Sequence, residues 1–209
     1  PYDISMIDEG DLSVYDDADV YLSMARLPET LTLLKTKEDE GAIVVNSAYG
    51  VEACRRRKLD NIMRENDIPV PPSEGNSGYW LKRGDEAAQS KNDVVYCKDR
   101  ETLANKEAEF VIRGVTNWIV QAHVPGDLVK FYAVKSGFFK YFYPSDDGDS
   151  KFGDEKRNGV ARHYAFDEKL LQATADKVAQ ITGIDVYGGD AIITENGEFY
   201  LIDFNDWPS

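Results

Sequence analysis

Three oxygen-bearing side chains lie near the end of the sequence with a spacing that suits a metal ion. Asp190 begins one apolar run, and Asp203 and Asn205 alternate along a second run that follows the pair Asn196-Gly197. Because Asn-Gly favours a tight turn, the two runs predict a β-hairpin that gathers all three side chains at one end. Mg²⁺ is bound by such hard oxygen donors. Solvated acids on a surface hairpin are the alternative, although Asp and Asn are disfavoured inside strands.

The predicted hairpin has strands at residues 190–193 and 199–205 and a turn at 195–198. Strict alternation divides the side chains of the second strand between two faces. One face carries Tyr200, Ile202 and Phe204, and the other carries Leu201, Asp203 and Asn205. The metal ligands are thus expected on the same face as Leu201.

Lys82 is a candidate for binding an anion, because it ends the apolar strand pattern Tyr79-Trp-Leu-Lys82. A lysine in such a strand either extends its ammonium group into solvent or meets a negative charge. Further cations flank a polar loop at 145–161. They are Lys130, Lys140, Arg157 and Arg162. In a chain of net charge −14, this grouping indicates phosphate or carboxylate binding, with a solvated basic face as the alternative.

Residues 118–127 form a pattern that could present backbone groups to a planar heterocycle. An apolar strand, Trp118-Ile-Val, continues through Gln121, Ala122 and His123 to a Pro-Gly turn and Asp127. N–H and C=O groups at a strand end can hydrogen-bond a ring, and the Asp127 carboxylate can accept hydrogen bonds from a pair of hydroxyls.

The composition argues against several classes of function. The chain has 209 residues, with 24 basic and 38 acidic side chains, so extensive nucleic-acid binding is not expected. Its longest apolar runs, such as residues 41–45, are only strand length, and no membrane association is expected. Cys54 and Cys97 have neither disulfide-framework nor metal-site spacing, which favours a cytoplasmic location. The missing initiator Met leads us to expect a fragment of a longer protein.

The remaining elements are expected to support these residues in three units. Residues 1–70 alternate helix and strand as part of an α/β domain, which ends at the Pro-rich passage 68–72. Residues 71–124 and 125–209 are rich in strands, and each includes an amphipathic helix, so two α+β lobes are expected. The predicted helices are 28–40, 48–58, 59–66, 100–110 and 167–183, and the other predicted strands are 42–45, 79–82, 94–97, 117–122, 128–135 and 138–143. The last helix has an apolar stripe at Leu170, Leu171, Ala175, Val178, Ala179 and Ile181.

Taken in order, these elements resemble the ATP-grasp superfamily over about residues 15–208. The family's metal-binding signature is similar to Gly188-Gly189-Asp190, Asp203-Phe-Asn205 and Pro208. Its lead-in to the nucleotide lobes is similar to Val44-Val-Asn-Ser47, Cys54-Arg-Arg-Arg-Lys58 and Ile68-Pro-Val-Pro71. The resemblance, which is to the ribosomal-protein glutamate ligase group, implies an α+β ATP-grasp fold. In that fold two α+β lobes grip a nucleotide, here preceded by part of an α/β N-terminal domain and truncated at the C-terminus.

The resemblance implies a role for each candidate residue. Lys58 and Lys82 would contact the phosphates of ATP, and Lys130 from the basic group is a further candidate for binding the nucleotide. Gln121, Ala122 and His123 would line the adenine edge, with backbone groups of Ala122 and His123 as hydrogen-bond partners, and Asp127 would bind the ribose. Asp190, Asp203 and Asn205 would hold Mg²⁺ or Mn²⁺. Arg157, followed by Asn158, would lie near the γ-phosphate, and Arg157 and Lys82 are the predicted catalytic residues.

The implied activity is that of an ATP- and Mg²⁺-dependent ligase. Such an enzyme activates a substrate carboxylate as an acylphosphate, which an amine or a thiol captures, and its substrates would be small molecules or peptides. A kinase that phosphorylates a small-molecule hydroxyl and a nucleotide-binding module without turnover are the alternatives, and homo-oligomerisation is left open. Two positions depart from the family. The loop 83–92 has one glycine where the family's loop is Gly-rich, and Arg57 replaces the usual acid before Lys58.

Overall fold

The computed structural model describes residues 3–85, 90–147 and 155–207 of the chain. Its helices are α1 (Pro28–Asp39), α2 (Ala48–Ala53), α3 (Arg56–Glu65), α4 (Arg100–Ile112) and α5 (Glu168–Thr182). Its strands are β1 (Val20–Leu22), β2 (Ile43–Val45), β3 (Tyr79–Arg83), β4 (Val94–Cys97), β5 (Trp118–Ala122), β6 (Asp127–Val134), β7 (Phe139–Phe142), β8 (Val186–Ile193) and β9 (Phe199–Asn205). Within the described ranges the strands form three sheets, and no helix is long and apolar enough to cross a membrane.

The N-terminal region is a small parallel α/β unit. β1 and β2 pair in parallel, and α1 makes the crossover that a parallel pair requires. α1 starts with Pro28, whose fixed φ suits the first turn of a helix. Leu31 and Leu34 of this helix are buried with Val44 of β2 in one apolar cluster. From this unit α2 and α3 lead the chain to the next sheet.

The second sheet has three antiparallel strands in the order β4-β3-β5. Tyr79 and Leu81 of β3 are buried in the same apolar cluster as Phe110 of α4, so this helix covers one face of the sheet. Because side chains alternate along a strand, Trp80 and Lys82 lie on the opposite face. That face is therefore turned towards the rest of the molecule.

The third sheet has four antiparallel strands in the order β7-β6-β8-β9, and α5 covers one of its faces. Phe131 and Tyr187 are fully buried in the resulting core, and Phe204 is 2% exposed. Gly189 has no space for a side chain, since a Cβ atom there would lie 2.5 Å from both the Phe131 ring and the Asp203 carbonyl oxygen. The core fixes the position of the strands, and Lys130 and Asp190, which are paired in the sheet register, lie on the face turned away from α5.

The break between α2 and α3 differs from the sequence prediction. The predicted first helix continues to Lys58, whereas α3 already begins at Arg56. Arg55 has an extended backbone with a ψ of 128°, and Arg57 N–H donates a hydrogen bond to the Gly84 carbonyl oxygen at 3.1 Å. The predicted boundary is wrong because a carbonyl group from another part of the chain binds an N–H group of the first turn.

The buried face of α5 also differs from the predicted stripe. Leu170 and Ile181 are 54% and 39% exposed, although the prediction included both. The buried residues are Leu171, Ala175, Val178, Ala179 and Thr182. These recur every three or four positions and share one side of the helix, whereas Leu170 and Ile181 lie at its edges.

Candidate functional site

The C-terminal hairpin, formed by β8 and β9, brings two of the predicted metal ligands into direct register. Asp190 lies opposite Asp203, and Asn205 lies opposite Gly188. Paired residues of antiparallel strands lie on the same face, so the three oxygen donors share the face turned away from α5. β8 begins at Val186 rather than at the predicted Asp190, so Asp190 lies inside the paired region.

A β-bulge interrupts β9 beside the acids. The register moves from Asp203 to Leu201 in one step along β8, so Ile202 is an extra residue without a cross-strand partner. This residue shifts the alternation, and both Leu201 and Phe204 are buried, at 0% and 2% exposed. The predicted division of β9 is therefore wrong. Phe204 lies with Leu201 in the core, and Asp203 lies on the other side of the strand.

Lys130 of β6 extends the arrangement across a third strand. It lies opposite Asp190 in the sheet register, and its Nζ atom is 2.9 and 3.1 Å from the two Asp190 carboxylate oxygens. Lys130, Asp190 and Asp203 therefore form a row across β6, β8 and β9, with one cation beside two acids. This row offers both a donor for phosphate oxygens and carboxylates for a metal ion.

Lys82 connects the three-stranded sheet to the bulge. It is 8% exposed, and its Nζ atom donates a hydrogen bond to the Ile202 carbonyl oxygen at 2.7 Å. Burial lowers the pKa of Lys82 to about 8, an effect that nearby Asp203 opposes and Arg56 increases. This predicted phosphate ligand thus lies beside the part of β9 that carries the acids.

The other predicted phosphate ligand of the N-terminal region, Lys58, lies elsewhere. It is exposed, and with Arg57 it lines an open cavity of about 340 Å³ at the start of α3. The cation of α3 that helps to lower the pKa of Lys82 is Arg56. Its guanidinium group also donates a hydrogen bond to the Arg83 carbonyl oxygen at 2.8 Å. The sequence alone does not single out Arg56, because the family resemblance points to Lys58 at this place.

Two of the backbone groups expected at the adenine edge are already used within the fold. Ala122 N–H donates to the Pro72 carbonyl oxygen at 2.6 Å, and His123 N–H donates to the Gly78 carbonyl oxygen at 2.8 Å. These two N–H groups are therefore not open to a base, since a backbone donor forms one hydrogen bond of this kind, and the carbonyl groups of the two residues stay the predicted partners of adenine. A base would contact other groups at this end of β5.

Gln121, the third residue expected at the adenine edge, is part of the interior. It is 2% exposed, and its Nε2 atom donates to an Asp60 carboxylate oxygen of α3 at 3.0 Å. Asp60 also pairs with Arg64, whose Nε atom is 2.7 Å from the second carboxylate oxygen. These contacts hold β5 against the helix that carries Arg56.

Three aromatic rings cover the face of the three-stranded sheet that carries Lys82. We refer to Trp80, Tyr96 and His123 as the aromatic surface. Their ring centroids are 5.4, 5.6 and 6.2 Å apart, and Trp80 Nε1 donates to His123 Nδ1 at 3.2 Å. Burial lowers the pKa of His123, and nearby Arg157 lowers it further, so the neutral ring can accept this bond. The rings are inclined to one another by 59° to 87°, so a planar heterocycle could stack on the face of one ring and contact the edges of the others.

Arg157, a predicted catalytic residue, lies at the aromatic surface. Its guanidinium carbon is 3.6 Å from the centroid of the Tyr96 ring. This position differs from the expected one beside the γ-phosphate, which would lie with Lys82 and the acids. The arginine links the segment before α5 to the three-stranded sheet.

Asp127, the predicted ribose ligand, has a structural role instead. It is 3% exposed, and its two carboxylate oxygens accept hydrogen bonds from Arg162 N–H at 2.8 Å and Tyr164 N–H at 3.0 Å. A buried carboxylate is stable only when such donors surround it. The expectation is corrected, because both oxygens of this residue face the chain rather than a ligand.

The other two predicted cations, Lys140 and Arg162, lie apart from Lys130. Lys140 is exposed on β7, and Arg162 is exposed with its Nη1 atom 3.2 Å from the Tyr164 hydroxyl oxygen. Neither joins the row that contains Lys130. Residues 86–89 of the glycine-poor loop and Pro208 of the C-terminal motif lie outside the described residues.

The donor set of the C-terminal hairpin fits a hard divalent cation. Asp190 and Asp203 supply carboxylate oxygens, and Asn205 supplies an amide oxygen. In the part of the chain that the structure describes, no group of three or more His, Cys, Asp or Glu side chains could hold a metal ion. A set with two carboxylates is nevertheless typical of Mg²⁺, which retains waters and takes oxygens from substrate phosphates.

Comparison with sequences of known proteins does not assign the chain. No family model matches it, and no curated protein matches it significantly. Comparison with solved structures does find matches. A RimK domain ATP-grasp protein from Sphaerobacter thermophilus has a TM-score of 0.63 at 17% sequence identity, covering 93% of this chain and 75% of that one. The D-alanine-D-alanine ligase from Coxiella burnetii has a TM-score of 0.62 at 14% identity, covering 91% and 59%.

This chain has an ATP-grasp fold. A third match, the ADP complex of the N5-carboxyaminoimidazole ribonucleotide synthetase purK, has a TM-score of 0.61 at 17% identity, covering 86% of this chain and 51% of that one. The ATP-grasp resemblance seen in the ordered motifs is therefore confirmed, and at these identities it concerns the fold. The chain spans 59% of the length of the D-alanine-D-alanine ligase and 51% of the synthetase.

Proposed function

We propose that the protein is an ATP- and Mg²⁺-dependent ligase that joins a carboxylate to an amine or a thiol. The observation that carries the proposal is the row of Lys130, Asp190 and Asp203, with Lys82 bound at the adjacent bulge. The fold supports it, because matched structures of this fold include a D-alanine-D-alanine ligase and an ADP complex of a ribonucleotide synthetase.

The base of ATP would stack on the aromatic surface, and the phosphates would extend along the three-stranded sheet towards Lys82. Trp80 and Lys82 are two residues apart on β3, so their Cα atoms are about 7 Å apart and their side chains lie on one face. A nucleotide that lies along β3 can therefore contact both. Arg157 would border the stacked base, because its guanidinium group already lies over the Tyr96 ring.

The phosphates would lie between cations and acids. Lys82, Arg56 and Lys130 would donate to phosphate oxygens, and Lys130 would turn to them from its present contact with Asp190. Asp190, Asp203 and Asn205 would hold Mg²⁺, which when bound supplies positive charge to the phosphate oxygens and orients them. The role of this chain is thus to position the phosphates and to balance their charge.

The proposed reaction has two steps. A carboxylate oxygen of the substrate attacks the γ-phosphorus, the bond to the β,γ-bridging oxygen breaks, and ADP leaves. An amine or thiol then attacks the acyl carbon and loses a proton, and inorganic phosphate leaves with the bonding electrons. Lys82, Arg56 and Lys130 would oppose the negative charge that develops on the transferred group in the first step.

Peptides belong among the candidate substrates, together with small molecules. One matched structure is the ATP-grasp ligase PsnB in complex with a precursor peptide and AMPPNP. It has a TM-score of 0.54 at 13% identity, covering 87% of this chain and 59% of that one. This likeness motivates the inclusion of peptides in any screen.

The test is ADP formation by the full chain with ATP and Mg²⁺, screened against pools of amino acids, peptides, polyamines and polyols. We expect ADP and phosphate to form only when an acceptor is present, and mass spectrometry to show an amide or a thioester in the product. Nucleotide binding without ADP from any pool would contradict the ligase and favour a binding module. A phosphorylated hydroxyl without a new amide would identify the kinase alternative.

A further inference from the structure

Asn46, at the junction of β2 and α2, has no exposed surface and binds both strands of the C-terminal hairpin. Its Oδ1 atom accepts hydrogen bonds from Asp185 N–H at 2.9 Å and from Val186 N–H at 2.8 Å. Its Nδ2 group donates to the Val186 carbonyl oxygen at 2.6 Å and also to the Asp206 carbonyl oxygen. One buried amide therefore uses all of its hydrogen-bonding atoms on a distant hairpin.

The groups that Asn46 binds lie next to the metal ligands. Val186 begins β8, and Asp206 directly follows Asn205, the last residue of β9. Asn46 thus connects Val186, the first residue of β8, to Asp206, the residue that follows β9. A movement of either strand end would change the position of Asn205 relative to Asp203, and these two residues are ligands in the proposed metal site.

Two further contacts join the N-terminal region to the same end of the hairpin. Arg26 Nη1 is 3.0 Å from Asp206 Oδ2, and Trp207 Nε1 donates to the Ser23 carbonyl oxygen at 2.6 Å. Asp206 and Trp207 are the two residues that follow Asn205. The N-terminal region therefore holds the end of β9 through a buried amide, an ion pair and an indole hydrogen bond.

We propose that Asn46 is a positioning residue for the metal ligands, through which the N-terminal region sets the affinity for the divalent cation. The inference rests on the proposed function, in which Asp203 and Asn205 bind this cation. Mg²⁺ requires nearly ideal octahedral geometry, and residues that orient metal ligands strongly affect affinity. An amide is required at Asn46 because the position both accepts from N–H groups and donates to carbonyl groups, which a carboxylate cannot do.

The test measures Mn²⁺ binding to the full chain by electron paramagnetic resonance, with and without AMPPNP. In Asn46→Asp we expect the Mn²⁺ affinity to fall about 10- to 100-fold, the range for residues that orient metal ligands. In Trp207→Phe, which loses one hydrogen bond, we expect a fall of about two- to tenfold. AMPPNP affinity without metal should stay at the wild-type value in both variants.

The matched control is Lys35→Ala, which removes an ion pair inside the same N-terminal region. Lys35 Nζ is 2.7 Å from Glu52 Oε2, and both residues belong to that region. The Mn²⁺ affinity of this variant should equal that of the wild type. A large loss in this control would indicate that any weakening of the region disturbs the hairpin, and it would contradict a specific role for Asn46.

Two results would overturn the inference. The first is a folded Asn46→Asp or Trp207→Phe variant with wild-type Mn²⁺ affinity. The second is an equal loss of metal-free AMPPNP affinity, which a general structural role predicts. If circular dichroism shows that Asn46→Asp does not fold, Trp207→Phe decides. Failure of the ligase proposal is seen separately, as a lack of ADP formation by a wild-type chain that still binds Mn²⁺.

Discussion

The two sheets that meet at the candidate site differ in regularity. The three-stranded sheet keeps an unbroken register from Tyr79 to Lys82, and the aromatic surface extends over its face. The pairing of β8 with β9 is broken beside Asp190, and the acids lie at that break. A regular sheet presents a flat area, whereas a bulge directs a few atoms to one place. The two halves of the site therefore suit different parts of a ligand, a planar ring on one side and a small cation on the other.

The two sheets also differ in how far their charged side chains are exposed to solvent. Lys82 is 8% exposed and contacts a backbone carbonyl group. The side chains of Lys130 and Asp190 are 24% and 22% exposed. A hydrated cation can therefore approach the acids more readily than a solvent ion can approach Lys82. Substitutions of the acids should therefore reduce metal binding, and substitutions of Lys82 should reduce nucleotide binding.

The largest effect is expected on the acid side. In Asp203→Asn the loss of one of two carboxylates should reduce Mg²⁺-dependent ATP turnover by at least about 100-fold, because few other ligands remain. The change preserves side-chain volume, so the midpoint of urea unfolding should remain close to that of the wild type. Steady-state ADP release as a function of Mg²⁺ concentration measures the effect.

Glu195→Gln is the matched control for that experiment, because Glu195 is an exposed acid in the turn of the same hairpin. It should keep wild-type turnover. Asn205→Ala should resemble Asp203→Asn, since it removes the amide oxygen. Turnover close to the wild-type rate in either of these two variants would exclude the changed residue as a metal ligand.

The next largest effect is expected at the buried cation. Lys82→Ala should weaken ATP binding by roughly 1–3 kcal/mol, the scale for loss of a charge-assisted hydrogen bond. Isothermal titration calorimetry with ATP measures the change, and Mn²⁺ binding without nucleotide should be retained. Lys98→Ala, at a side chain that is 77% exposed beyond β4, is the control. An ATP affinity equal to the wild-type value would rule out Lys82 as a phosphate ligand.

A smaller effect is expected at the aromatic surface. Trp80→Ala should weaken ATP binding by about 1 kcal/mol, the lower end of the range for stacking, because Tyr96 and His123 remain. Inorganic triphosphate should bind as it does to the wild type, since it has no base. Trp118→Phe is the control, because Trp118 packs against Phe110, with ring centroids 6.1 Å apart. Parallel losses for ATP and triphosphate would contradict stacking on this surface.

The smallest effect is a dependence on pH. The pKa of Lys82 is lowered to about 8, so its charge and the ATP affinity should decline between about pH 7 and pH 9. Lys82→Arg keeps its charge and should show no such decline. Between pH 8 and 10.5 the unfolded chain retains a proton that the folded chain has lost, so this group should make the free energy of unfolding rise with pH. Affinity that is equally flat in both proteins would contradict a charged Lys82 in the complex.

Local signals made the C-terminal hairpin predictable, whereas its bulge was not. The Asn196-Gly197 turn and the apolar runs on either side of it identify the two strands from neighbouring residues alone, and the proposed ligands Asp203 and Asn205 belong to the second run. The position of the bulge at Ile202 is set by the register with β8 and by the burial of Phe204. Neither can be predicted from the residues of β9 alone. The ATP-grasp fold could be predicted because the resemblance rests on the order of many elements along the chain, and an error in one element does not change that order.

Long-range contacts explain the errors at single residues. The start of α3 depends on a carbonyl group of Gly84, and with that start Arg56 is four residues from buried Asp60 and on its side of the helix. That spacing is the sequence signal that places Arg56 on the side of α3 that carries Asp60. The contacts of Asp127 span 35 and 37 residues, so no local pattern indicates them.

The hydrogen bond from Lys82 to the Ile202 carbonyl oxygen holds a long side chain in one conformation before any ligand binds. Ordering a free lysine costs up to about 2 kcal/mol of rotamer entropy. Here that entropy is lost when the chain folds, so a phosphate in the proposed nucleotide site would meet an ammonium group that is already oriented. Such preorganisation increases affinity without adding a contact. An irregularity in the pairing of β9 thus limits the freedom of a side chain on β3.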